Sequence, residues 1–160
     1  MASTSIATVA RHPGHKVAPV LSDGVTTPVT LLDWENACDD FFAACKEPIA
    51  DKKKVSKVTG GPQNNHISEY IRNNHARLHS LNFPEFMAEL QETFLPTDWA
   101  KETHHKILAA CMALDQSFYN FCTDMVSLND LLAGNTLHLS EQRIKEQIFN
   151  NITEDLPREP

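Results

Sequence analysis

Beyond residue 26 the apolar residues of this chain recur at spacings of three, four and seven, and nowhere do they alternate over a length that would build a strand. That period is the helical one, so a core can form only by packing helix faces against each other. Leu31, Trp34, Cys38, Phe41, Phe42 and Cys45 mark one face of a helix that opens at Thr27-Pro28 and ends before Pro48. A short helix follows over Asp51–Thr59, with Asp51 as its cap, Val55 and Val58 inward, and Gly60-Gly61 as its stop. A third runs from Asn65 to His79, and a fourth carries Phe83, Phe86, Met87, Leu90 and Phe94 behind Asn82. Leu95-Pro96-Thr97-Asp98 breaks the pattern, because proline disfavours helix at the residue before it.

Three more helices complete the reading. The first spans Asp98–Leu114, with Trp99, Ile107, Ala110, Cys111 and Leu114 on one side and Leu108 and Met112 on another, an arrangement that predicts cover on two sides. The next spans Ser117–Leu132 on the stripe Phe118, Phe121, Cys122, Met125, Leu128 and Leu132, with Gly134 as its stop. In the last, Leu139 and Ile144 bracket a Ser140 cap and Ile144, Ile148 and Ile152 face inward. The expectation is an all-α chain of about seven helices in two small lobes, residues 27–96 and 97–160, the second incomplete. A flexible Ser/Thr/Ala/Pro-rich arm over residues 1–26 precedes them.

Charge and cysteine usage narrow the function classes. With 14 Lys and Arg against 21 Asp and Glu the net charge is −7, the wrong sign for phosphate binding without sequence preference. No apolar run approaches the roughly 18 residues a membrane span needs, and the first twenty residues lack the apolar region of a secretory signal. A cytoplasmic protein without membrane contact is the expectation. Cys38, Cys45, Cys111 and Cys122 include no C-x-x-C pair and read as buried, reduced thiols.

Groups capable of chemistry are sparse. His75 and His79, at i and i+4, have the spacing of a two-histidine metal clamp, but H-A-R-L-H lacks the glutamate of H-E-x-x-H and brings no third ligand. His104 and His105 are adjacent and diverge, one outward and one at the core margin. Glu35, Asp39 and Asp40 form a solvated acidic face unless a pocket raises their pKa values. Lys52, Lys53, Lys54 and Lys57 form the one basic run, read as a wet helix surface. No catalytic residue, cofactor or metal is therefore expected, with His75 and His79 the only weak metal candidates.

The order of these features resembles the Gag capsid region of gypsy-class long-terminal-repeat retrotransposons over roughly residues 20–156. The resemblance begins at Thr27-Pro28 and Leu32-Asp33-Trp34-Glu35-Asn36-Ala37-Cys38. It is densest at Phe83-Pro84-Glu85-Phe86, Leu90, Phe94-Leu95-Pro96 and Asp98-Trp99. It continues through Lys106-Ile107-Leu108, Leu114-Asp115-Gln116-Ser117, Phe118 to Phe121 and Met125, and closes at Leu139, Gln147 and Asn151-Ile152. Asn151 stands where the family usually has glycine, and Tyr70-Ile71 replaces the family's tryptophan pair. The sequence contains no zinc knuckle, protease or polymerase motif.

The resemblance implies a two-lobed, non-catalytic capsid subunit that self-associates into particles through its C-terminal lobe. It assigns element RNA to a downstream segment outside this sequence. Trp34, Phe83, Phe86, Leu90, Phe94, Trp99, Leu108, Leu114, Gln116, Phe118, Phe121, Met125 and Ile152 would be its shared core positions. Two other readings stand beside it: a domesticated capsid-like adaptor that binds a partner peptide, and a small metal-dependent helical enzyme using His75, His79 and the acidic residues of the first helix.

Overall fold

The computed structural model describes residues 5–12 and 16–153. The fold is all-α apart from one small antiparallel pair of strands, and the chain divides into two compact units, residues 1–96 and 97–160. The first unit contains β1 (Val9–Ala10), β2 (Val20–Leu21), α1 (Pro28–Ala44), α2 (Asp51–Val58), α3 (Asn65–Asn73), α4 (His75–Leu78) and α5 (Phe83–Phe94). The second contains α6 (Trp99–Ala109), α7 (Phe118–Asp130) and α8 (Glu141–Thr153).

Local chemistry sets the helix starts. Thr27 and Thr30 form a capping box at α1, Asn64 accepts from the His66 and Ile67 amides at α3, and Asn82 and Glu85 form a second box at α5. Ser117 caps α7, and the Ser140 hydroxyl accepts from the Arg143 amide at α8. At α2 the cap position is Ala50, which supplies no side-chain bond; Asp51 lies inside the first turn and pairs with Lys54 at 3.0 Å.

Asn74 divides the helix expected over Asn65–His79. Its backbone leaves the helical region at φ −111°, ψ 16°, and its Nδ2 donates to the Tyr70 carbonyl at 2.9 Å. An asparagine that bonds its own backbone competes with the helix ladder. This break raises the number of helices among the described residues to eight.

The described part of residues 1–26 is ordered, not a flexible arm. Val9 and Ala10 pair with Leu21 and Val20, Leu21 and Ala7 are buried, and Arg11 pairs with Asp40 of α1. The indole Nε1 of Trp34 donates to the Pro19 carbonyl at 3.1 Å. Leu21 also bridges to the α2–α3 loop: its N–H donates to the Gly61 carbonyl at 3.1 Å and its carbonyl accepts from the Gln63 N–H at 2.8 Å. These bonds satisfy backbone groups that burial would otherwise strand, which is how so short a pairing persists. A two-residue strand leaves no alternation long enough to read in the sequence.

The core of the first unit gathers around Trp34, which is fully buried and meets Phe86 edge-on with centroids 6.5 Å apart. Leu31, Val55, Ile67, Leu78, Met87 and Leu90 are buried with it. Phe83 and Phe86 are buried as well, whereas Phe41 and Phe94 are half-buried at its margin, less than a core reading of their stripes requires.

Gly60 and Gly61 do not end α2 through a left-handed turn; among the described residues only Gly24 and Gly134 have positive φ. Gly61 is instead a close approach. A Cβ there would lie 2.3 Å from the Pro19 carbonyl oxygen and 3.3 Å from a ring carbon of Trp34, whereas one at Gly60 would meet nothing within 4 Å. Gly61→Ala should therefore destabilise the protein by about 2 kcal/mol or more, and Gly60→Ala should be neutral or slightly stabilising. Urea denaturation of the two variants checks the contrast.

Candidate functional site: apolar surface on the second unit

The second unit builds its core from Ile107, Phe121, Met125, Leu132, Ile144 and Ile148, with Trp99, Met112, Leu128 and Ile152 partly buried against it. Two buried asparagines shape its connections. Asn129 donates to the Leu139 carbonyl at 2.9 Å and accepts from the Leu139 N–H at 2.8 Å, fastening the α7–α8 turn. Asn151 donates to the Ile107 carbonyl at 3.3 Å, and Gln147 donates to the Leu108 carbonyl at 3.4 Å. Side chains of α8 thus take up carbonyls at the end of α6, which stops at Ala109 and not at Leu114. The sequence around 110 contains no breaker, because the capping groups come from about forty residues away. Asn151 therefore has a polar role here that a residue without a side-chain amide could not perform.

The early end of α6 changes the exposure of several residues expected in the core. Leu114 falls in the loop and is 99% exposed, Leu108 is 46% exposed, and Phe118, at the first turn of α7, is 58% exposed. Cys111 is exposed too, while Met112 folds back against the core. Gln116 is half-buried and its amide donates to Asp124 at 2.8 Å, holding the loop to α7. Tyr119, Val126 and Phe149 are also exposed. Leu108, Leu139, His104, Arg143 and Gln147 line a groove of about 310 Å³ between α6 and α8.

The groups considered for chemistry do not converge. His75 and His79 lie side by side with ring centroids 3.9 Å apart and their planes tilted by 48°, and His79 Nε2 is 3.5 Å from the Thr59 hydroxyl. Among the described residues no group of three His, Cys, Asp or Glu side chains is arranged to hold a metal. Burial and, second, Asp39 push the Glu35 carboxyl up; burial also raises Asp39, which stays exposed to solvent. Burial likewise raises Cys38, which leaves its thiol protonated and unreactive. His104 is half-buried and His105 exposed, and Lys52, Lys53 and Lys57 are exposed on α2. Lys54 instead packs over the Phe42 ring at 5.6 Å.

A tight polar cluster in the first unit is structural. Arg77 and Tyr70 both donate to Glu89, tying α3 and α4 to α5, and those bonds hold the Glu89 carboxyl down at about 2. Tyr70 meets Phe94 edge-on at 5.4 Å. Among the described residues no helix is long and apolar enough to cross a membrane.

Burial and, second, the neighbouring His75 lower the pKa of His79. The unfolded chain then binds more protons than the folded one just below the ordinary histidine pKa. The contribution of His79 to stability is complete above that value and is lost as pH falls through the depressed one. Between about pH 7.5 and pH 5.5 the wild type should lose stability relative to His79→Gln, which urea midpoints at the two pH values measure. Comparison with protein-family models, with curated proteins and with solved structures finds no match to this chain.

Proposed function

We propose that this chain is a structural capsid subunit of the retrotransposon Gag type, non-catalytic and cytoplasmic, which associates with copies of itself through its second unit. One observation carries the reading. Six of the exposed large apolar side chains, Leu108, Leu114, Phe118, Tyr119, Val126 and Phe149, fall on the short second unit. Three helices of this length bury too little surface to use all their apolar groups internally, so association gains what the isolated fold leaves exposed.

The α6–α8 groove suits a second copy. Leu108 and Leu139 give it an apolar patch beside His104, Gln147 and Asn150, and Arg143 and Glu146 place both signs of charge in its lining. A surface carrying both signs can face itself across a two-fold axis without like charges opposing throughout. The net charge of −7 leaves RNA contact to another, basic segment. Among the described residues no three His, Cys, Asp or Glu side chains gather around the His75–His79 pair or elsewhere to hold a metal, which favours this reading over a metal-dependent enzyme.

Sedimentation at tens to hundreds of micromolar protein tests the proposal. Weak, concentration-dependent self-association is expected, maintained or strengthened by salt because the contact is apolar. Leu108→Ser should weaken it, whereas Lys53→Glu should not. A strict monomer at low and high salt would contradict the reading.

A further inference from the structure

Helix α2 carries a hydroxyl set among lysines that neither the core nor the association surface uses. Ser56 is exposed, and its Oγ donates to the Lys53 carbonyl at 2.8 Å, one turn earlier in the same helix. Lys52, Lys53 and Lys54 precede it and Lys57 follows it. Lys54 pairs with Asp51 at 3.0 Å and packs over the Phe42 ring. Lys52, Lys53 and Lys57 are exposed and make no ion pair among the described residues.

Base-directed protein kinases take their substrate as an extended chain and select it by the charge of the residues just before the hydroxyl. Ser56 has three lysines in the four residues before it, and no other serine or threonine of the sequence has more than one Lys or Arg there. Two partial competitors are engaged. Thr103 is buried with its hydroxyl on the Trp99 carbonyl, and Arg77, before Ser80, is bound to Glu89. The helix that holds Ser56 is also the kind that opens. It is eight residues long, Ala50 gives it no side-chain cap, and of its residues Val55 and Val58 are the buried ones. A helix so short has no stability of its own in water, so those two contacts hold it in place.

We propose that Ser56 is a phosphorylation site for a lysine-directed protein kinase acting with ATP, and that the phosphate loosens α2. The serine Oγ attacks the γ-phosphorus of ATP; the new O–P bond replaces the bond to the bridging oxygen, ADP departs, and the hydroxyl proton passes to the kinase. The product places about two negative charges inside the basic run of α2 at neutral pH. The phosphorylated oxygen can no longer donate to the Lys53 carbonyl. It also stands in the last turn of α2, where unpaired carbonyls form the negative end of the helix. Lys52 and Lys53, one turn before, offset part of that repulsion, in the weaker helical order of base before acid.

The test incubates the full chain with magnesium ATP and the catalytic subunit of cyclic-AMP-dependent protein kinase, then maps peptides by mass. One phosphate should appear, on Ser56, and an acid-directed casein kinase should add none there. Ser56→Ala should abolish addition to α2. Lys52→Gln with Lys53→Gln, both at exposed positions, should slow it about tenfold or more with unchanged circular dichroism and melting temperature. Ala50→Asp supplies the missing cap, so it should slow phosphorylation of the chain but not of a peptide spanning residues 48–62, which separates opening of the helix from recognition of the lysines. Hydrogen exchange across residues 51–59 should be faster in the phosphorylated chain. Absence of phosphate on Ser56, phosphate on another residue in its place, or full rate in the Lys52/Lys53 variant would overturn the site. Full rate in the Ala50→Asp chain would overturn access through opening, and unchanged exchange would overturn the loosening.

Discussion

The indole of Trp34 is where three separate stretches of the first unit are fastened together. Its N–H holds the Pro19 carbonyl, its ring edge meets Phe86 of α5, and Gly61 lies close against it from the α2–α3 loop. Each partner depends on the others. The segment before α1 carries an apolar side chain, Leu21, whose backbone needs Gly61 and Gln63 as hydrogen-bond partners. Gly61 must lack a Cβ because Pro19 occupies the space one would fill. A buried indole with its N–H satisfied contributes both apolar area and a directional bond, which fixes register as well as stability.

The second unit solves a different problem with different groups. It has few residues from which to make a core, and it fixes its connections with buried amides instead of additional apolar contacts. Asn129 supplies both a donor and an acceptor to Leu139, and Asn151 with Gln147 takes up the carbonyls that end α6. Those bonds account for buried polar atoms that would otherwise cost stability. Ending α6 at Ala109 releases the following residues into a loop, where Leu114 is exposed; Phe118, at the start of α7, is exposed as well. The surface proposed for association is thus a consequence of how the helices are terminated.

Helix existence was legible in the sequence because the apolar period and the caps are local. Thr27, Asn82, Ser117 and Ser140 mark starts within a few residues of the evidence for them, and the break at Pro96 falls where the two compact units divide. The Asn74 break and the Ala50 cap were missed although both are local; three further features were not legible because they are long-range. The strands before α1 are two residues each and are held by partners some forty residues away. The end of α6 is set by α8. The third is the exposure of Phe118, whose spacing matches the buried Phe121 and Met125 but which lies at the first turn of α7. The apolar positions expected in the core therefore divide: Trp34, Phe83, Phe86, Leu90, Phe121 and Met125 are core, while Leu108, Leu114 and Phe118 are surface. A stripe specifies which residues share a helix face, not how far the neighbouring elements extend to cover it.

The function proposed rests on the uneven distribution of apolar surface between the two units. Hydrogen exchange on the intact chain, compared between dilute and concentrated protein, reads that distribution directly, since amides covered by a second copy exchange more slowly. The account predicts added protection in α6 and α8 at high concentration and none in α2. Protection confined to α2, or exchange independent of concentration throughout residues 97–153, would contradict it.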